Sequence, residues 1–311
     1  MRFSVIIPLF NKAPYIENAL QSVLAQTYSD WELIVVDDGS RDESAAIVER
    51  ILHDVNNAIL IRQENSGVST ARNNGVAASH GEYVCFLDAD DWWEPTFLEG
   101  MNSLIADCPQ ARLFATNYYY VKNGRKQVKL DIPTGYFNYC QVYAKSLCQP
   151  VWTGATCMSR ETFEEFGGFK PQLKLGEDFE LWIRIVLRYP VAFLNSPMSN
   201  YNQDVDVSFR GTHHLHKPEN HMLWNLDYLA EEEKSNPDFK QLMDNLRVYG
   251  LQNHFLSKEF HDAAKEQLAK VDWTLQPNKW KKYYDYPLWW LRIRQRVLIL
   301  GSRIKQKICK V

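Results

Sequence analysis

Residues 83–91 read Tyr83-Val84-Cys85-Phe86-Leu87-Asp88-Ala89-Asp90-Asp91, an apolar run that ends abruptly in three acids within four positions. A short continuous apolar run of this kind is the mark of a strand buried on both faces, as in a parallel sheet. Upstream the pattern repeats. Val5-Ile6-Ile7 is closed by Pro8, Leu33-Ile34-Val35-Val36 ends in Asp37-Asp38-Gly39-Ser40, and Ala58 to Arg62 forms a third run. Between them lie helical stretches from about Pro14 to Gln26, Ala45 to Leu52 and Gly67 to Ser79, the first with an apolar stripe of Ile16, Leu20, Val23 and Leu24. This alternation predicts an α/β fold with a mostly parallel central sheet and helices on both faces. In such sheets ligands bind outside the carboxyl ends of the strands, where the Asp37-Asp38 and Asp88–Asp91 acids fall.

Working outward, Pro95 opens a helix to about Ala106, and Arg112–Val121 and Gln127–Leu130 flank the hairpin signal Lys122-Asn123-Gly124. Ala155–Met158 reads as a strand, and Gly176-Glu177-Asp178 opens a helix that runs to about Tyr189. From about Asp204 the strand pattern stops, which divides the chain into a catalytic domain, 1–204, and a helical region, 205–311, that ends in a basic amphipathic tail.

With 311 residues, 45% of them hydrophobic, the chain has enough apolar matter for a large core. Its net charge of −3 conceals an asymmetry: Pro277–Val311 holds ten Lys or Arg against the single acid Asp285. The rest is acidic, which argues against a nucleic-acid partner. The six cysteines match no zinc or disulfide spacing, and no run approaches the roughly 18 apolar residues of a spanning helix. A cytoplasmic protein is expected.

Each chemical element is ambiguous alone. The Asp88–Asp91 turn supplies the hard oxygens that a divalent cation on a diphosphate needs, yet acids are common in turns. The Asp37 turn suits a ribose or nucleobase, or simply a turn. Asn65–Gly75 opens a small-residue helix whose free end and Arg72 suit phosphate. Glu177 and Asp178 favour the helix dipole whether or not one of them is a base. Together and in this order, Val5–Asn11, the Asp37 turn, the Arg72 helix, the Asp88 turn and Gly176-Glu177-Asp178 resemble family 2 glycosyltransferases over about Met1–Tyr201. These are inverting enzymes of the GT-A fold, many of which build bacterial surface polysaccharides.

The resemblance implies hexosyl transfer from a nucleotide-diphosphate sugar, with UDP the default nucleotide. It assigns Pro8, Phe10, Asn11, Asp37, Asp38 and Arg72 to the donor nucleotide, and Asp88 and Asp90 to the Asp-x-Asp motif. Asp90 is then the ligand of Mg²⁺ or Mn²⁺, Asp88 lies nearer the ribose, and Asp178 is the catalytic base with Glu177 beside it. Trp152 falls on the acceptor side, and His213 or His214 is a further candidate metal ligand. The acceptor implied is a glycan or a lipid-linked acceptor. The competing readings are a nucleotidyltransferase, which would leave Glu177-Asp178 without a role, and a non-catalytic sugar-nucleotide-binding scaffold, for which the intact acids are superfluous. In the tail, Trp289, Ile293, Val297, Leu300, Ile304 and Ile308 form one stripe at about 3.6 residues per turn, flanked by arginines and lysines. That pattern predicts peripheral attachment to the anionic inner face of the plasma membrane.

Overall fold

The computed structural model describes residues 1–205, 214–295 and 297. The chain forms two compact units, Met1–Met222 and Leu223–Val311. The first is an α/β unit. Its amino-terminal half contains β1 (Phe3–Leu9), α1 (Ile16–Leu24), β2 (Trp31–Asp37), α2 (Ser44–Leu52), β3 (Ala58–Arg62), α3 (Val68–Ala77), β4 (Tyr83–Phe86), β5 (Trp92–Trp93) and α4 (Phe97–Asp107). There follow β6 (Leu113–Lys122), β7 (Arg125–Gln127), β8 (Gly135–Phe137), α5 (Tyr139–Ser146), β9 (Thr156–Ser159), α6 (Arg160–Glu165), α7 (Glu177–Val186) and β10 (Val191–Asn202).

The strands form one sheet in the order β3-β2-β1-β4-β9-β6-β10-β5, with β7 on β6 and β8 on β10. From β3 to β4 every pairing is parallel, as the apolar runs predict. Beyond β4 the sheet is mixed. β9 enters antiparallel between β4 and β6, β10 pairs parallel with β6, and β5, β7 and β8 add antiparallel edges. The strand expected over Gln127–Leu130 is instead the return arm β7, which starts two residues earlier and ends at Gln127. β1 and β2 are buried along their whole length, and α1 lays Ile16, Ala19, Leu20 and Val23 over them. Gly75 of α3 lets that helix close on the other face, because a Cβ there would lie 2.4 Å from Ile6 Cγ2.

The first unit runs past Asp204 because residues 214–222 return to the segment before α7. The N–H groups of Lys174 and Leu175 donate to Asn220 O at 2.8 and 3.2 Å, and Met222 N–H donates to Leu175 O at 3.1 Å.

The second unit is helical: α8 (Ala230–Ser235), α9 (Pro237–Gly250), α10 (Gln252–Leu256), α11 (His261–Leu268) and α12 (Asn278–Asp285). Phe239, Leu242, Met243 and Val248 of α9 form its centre. Residues 288–295 are helical and divide the predicted tail between two roles. Leu291 is buried, and Arg292 donates to the carbonyls of Leu256 and Ser257 at 2.9 and 3.0 Å, so one side docks within this unit. Trp289, Ile293 and Val297 stay 64, 53 and 61% exposed. Leu300, Ile304 and Ile308 of the predicted stripe lie outside the described residues, as does His213. Among the described residues, no helix is long and apolar enough to cross a membrane.

Candidate active site

The parallel register brings the ends of β1, β2 and β4 to one edge: Leu9 pairs with Asp37, and Ile6 with Phe86. Pro8 is a buried member of β1 opposite Val36, which makes its contribution one of strand placement. Phe10, immediately after, is 42% exposed on this edge. Asn11 takes a left-handed φ of 51° and binds the loop after β2 twice: its N–H donates to Ser40 Oγ at 3.0 Å, and its Oδ1 accepts from Arg41 N–H at 2.8 Å.

The two acids after β2 divide their work. Asp38 Oδ1 accepts from Gln63 Nε2 at 2.8 Å and from Ser66 N–H at 2.7 Å, while Oδ2 accepts from Gly67 N–H at 2.8 Å. Its carboxylate therefore builds the loop that starts α3, a use of the pair that sequence alone did not separate. Asp37 has one such bond, Oδ1 accepting from Ser40 N–H at 3.0 Å.

Arg72, on the first turns of α3 and only 3% exposed, joins two segments. Its Nη2 donates to Asp88 Oδ1 at 2.8 Å and its Nη1 to Glu177 Oε1 at 3.1 Å, with the guanidinium carbon 5.1 Å from the Phe169 ring. Burial alone would lower the pKa of the guanidinium, but the charges of Asp88 and Glu177 outweigh it and hold the group above its ordinary value. Glu177 feels the opposite balance: burial first, then neighbouring Asp178, push its carboxyl up against the pull of Arg72.

After β4 the turn is closed by Asp91 N–H donating to Asp88 O at 3.0 Å. Asp91 points inward and accepts from Asn202 N–H at 2.7 Å. Burial foremost, and then the charges of Asp90 and Asp88, push it well above the usual carboxylate range. Asp90 points outward to Lys12 Nζ at 2.5 Å. Lys12 went unremarked in the sequence, although its position just after β1 already puts it on this edge. The donor set fits a hard divalent cation: Asp88 and Asp90 supply carboxylate oxygens, Asp90 already faces a cationic group, and such ions usually take one or two carboxylates plus substrate phosphate oxygens. Among the described residues no three His, Cys, Asp or Glu converge on one ion position. His214 is exposed.

Gly176, at φ 77°, turns the chain into α7, and a Cβ there would lie 2.3 Å from Met222 Sδ. The carboxylate of Asp178 is held from several sides. Oδ2 accepts from Gln149 Nε2 at 2.9 Å and Thr153 Oγ1 at 3.1 Å, and Oδ1 accepts from Phe179 N–H at 2.6 Å. Thr153 belongs to the Trp152-Thr153-Gly154 segment singled out in the sequence; Gln149 was missed, since nothing in its surroundings marks it. Trp152 packs 4.3 Å from Tyr201 and 5.3 Å from Tyr118, ring centre to ring centre. The edge thus gathers the ends of β1, β2 and β4, α3, and the start of α7.

Residues 4–167, more than half of the chain, match the glycosyl transferase family 2 description, and the chain belongs to that family. It is 38% identical to glycosyltransferase GlyA of Streptococcus pneumoniae over 118 residues, which are 38% of this chain and 17% of GlyA. It is 47% identical to an uncharacterized glycosyltransferase, alr2836, of Nostoc over 100 residues, 32% of this chain and 31% of that one. The matched stretches thus span a third or less of these relatives. Among solved structures, S. aureus TarS 1–349 in complex with UDP superimposes with a TM-score of 0.73 at 18% identity, covering 97% of this chain and 92% of that one.

Proposed function

We propose that this chain transfers a hexosyl group from a nucleotide-diphosphate sugar, with UDP as the nucleotide, to an acceptor hydroxyl with inversion. The observation that carries the reading is the Arg72 bridge, 2.8 Å to Asp88 and 3.1 Å to Glu177. It ties the acidic turn suited to a diphosphate to the residue beside the candidate base. Asp178 accepts the acceptor proton while that oxygen attacks the anomeric carbon. The bond from the anomeric carbon to the diphosphate oxygen breaks on the opposite face, and no covalent enzyme intermediate forms. Gln149, Thr153 and the Phe179 N–H hold the carboxylate in place for this transfer. Asp90 and Asp88 would hold Mg²⁺ or Mn²⁺, which when bound would supply Lewis-acid neutralisation of diphosphate charge. Phe10, Asn11 and Asp37 line the nucleoside end, and Trp152 and Glu177 the acceptor side.

The relatives' names and the TarS complex with UDP support a nucleotide-sugar donor; names such as "Putative teichuronic acid biosynthesis glycosyltransferase" support a role in cell-surface polysaccharide synthesis. The test is hydrolysis of a panel of sugar nucleotides with Mn²⁺ or with chelator. Metal-stimulated release of nucleoside diphosphate is expected; no such release, but formation of pyrophosphate when UTP and a sugar 1-phosphate are supplied instead, would favour a nucleotidyltransferase, and no turnover in either assay a scaffold.

The chain acts, in this reading, on the cytoplasmic face of the membrane. The exposed stripe of Trp289, Ile293 and Val297, with Arg294 5.8 Å over the Trp290 ring, is the support. An apolar stripe with basic neighbours gains about 1 kcal/mol per cation near an anionic surface, lost as salt screens it. Full-length protein should sediment with anionic vesicles at low salt, and a chain ending at Tyr286 should not. Equal sedimentation of both would refute the attachment.

A further inference from the structure

The β6–β7 hairpin carries Lys122, Arg125, Lys126 and Lys129 in eight residues with no acid among them. Side chains alternate along a strand, and directly paired residues share a face. Tyr118, Tyr120 and Lys122 therefore lie on one face of β6, and Arg125, opposite Lys122, joins them. Tyr201 of β10 pairs with Tyr120 and joins the same face, and Lys129 Nζ lies 3.7 Å from the Tyr120 ring centre. Lys126, opposite Val121, points the other way, to Glu94 at 2.5 Å and the Tyr119 ring. The two faces differ in their compensation. The outward cation Lys126 has a carboxylate partner, whereas among the described residues Lys122, Arg125 and Lys129 form no ion pair. Asp204, the acid nearest the hairpin tip, spends both oxygens on Asn123 N–H at 2.9 and 2.7 Å.

This cationic aromatic face runs directly to the base. The Tyr120 and Tyr118 hydroxyls are 3.0 Å apart, Tyr118 donates to Gln149 O at 2.9 Å, and Gln149 Nε2 donates to Asp178 Oδ2 at 2.9 Å. We propose that this face is an acceptor subsite for an anionic glycan, whose sugar rings pack on Tyr120, Tyr201 and Trp152 while its oxyanions meet Lys122, Arg125 and Lys129. The inference rests on Asp178 as the base, which fixes the end of the face where the reacting hydroxyl lies. The oxyanions are uronate carboxylates or phosphodiesters along the acceptor chain, and both place singly charged groups at intervals on a polyhydroxylated backbone.

The experiment measures binding of three probes by calorimetry: an oligogalacturonate, a glycerol-phosphate oligomer and a neutral malto-oligosaccharide. The unaltered chain should bind one anionic probe about tenfold or more tightly than the neutral one, because several cations then act on the same ligand. That preference should fall as salt rises, and the preferred probe distinguishes carboxylate from phosphodiester. K122S/R125S/K129S should lose the preference, and Lys126→Ser on the opposite face should keep it. Equal affinity for neutral and anionic probes, no binding of either anionic probe, or a preference that survives the triple substitution would each overturn the proposal. Sugar-nucleotide hydrolysis by the unaltered chain is the separate check on the catalytic reading. Anion preference without hydrolysis would sink that reading and leave a face that binds anionic glycans but is not an acceptor subsite.

Discussion

Replacing Arg72 by Met removes a charge while keeping much of its volume, and it tests whether one guanidinium holds the site together. In the native chain the group is 4% exposed at its side chain and bonded to Asp88 and Glu177. Without it, two carboxylates are left facing a partly dry cleft with no counter-charge. Removing one partner from a buried ion pair costs about 3–5 kcal/mol, because the remaining charge is stranded rather than because the pair itself was worth that much. Asp88 keeps 27% side-chain exposure and is partly rehydrated, which puts the expected loss near the lower end. A loss of about 3 kcal/mol lowers the melting temperature by roughly 6–12 °C for a domain of this size. The assay is calorimetric melting of the wild type, Arg72→Met, Glu177→Gln and the double variant. In the double variant one stranded charge is gone, so it should recover a large part of the loss, a coupling that independent sites do not show. A single variant that melts within about 2 °C of wild type, or a double variant that simply adds the two losses, would refute the bridge.

Two further outcomes follow from the same edge and its flank. Glu32 accepts from Ser4 Oγ at 2.6 Å, from Gly81 N–H at 3.0 Å and from His80 N–H. Burial disfavours its charge, but these bonds outweigh burial and hold the carboxyl below its ordinary 4.5. A depressed folded-state pKa gives stability that is present above the unfolded value and lost as pH falls through the folded one. Glu32→Gln should therefore cost about 1–3 kcal/mol at neutral pH and flatten the fall of melting temperature below about pH 4.5, a slope that scanning fluorimetry across pH reads directly. Asp90→Ala, at a half-buried turn position paired with Lys12, should lower the melting temperature by no more than a few degrees while the fold survives. It should weaken Mn²⁺-dependent UDP binding by more than the roughly 10–100-fold that loss of a merely supporting residue costs, and unchanged metal dependence in a titration would count against the ligand assignment.

β1 and β2 were legible because strands buried on both faces are written as continuous apolar, largely β-branched runs, and β4 because its apolar run stops at Asp88; β3 is an edge strand with no buried residue and was read from its apolar run alone. The second half was not legible. β10 holds Asn195, Ser196 and Pro197, and its register slips between Leu194 and Pro197 and again before Ser199, so neither continuity nor alternation survives in the sequence. β5 is two residues long and has no pattern to read. The antiparallel insertion of β9 depends on where the chain returns after α5, which local propensity does not encode. At the site, residue types at strand ends revealed the acids but not their partners. Asp38 is used up by Gln63, Ser66 and Gly67, and Arg72 reaches Asp88 and Glu177 at separations of 16 and 105 residues. Gln149 holds Asp178 across 29 residues, from a segment with no signature of its own.

The central claim is that Asp178, fixed by Gln149 and Thr153, takes the acceptor proton. Asp178→Asn is nearly isosteric and retains an oxygen for those donors, but its amide cannot hold the proton. Pre-steady-state transfer and donor affinity should be measured side by side on wild type and variant. Transfer from the bound complex should fall about 10²–10⁴-fold, the range for loss of a general base, while the donor dissociation constant stays within about threefold. A variant whose bound complex still turns over at the wild-type rate while its donor affinity collapses would contradict the assignment and move Asp178 to the donor site.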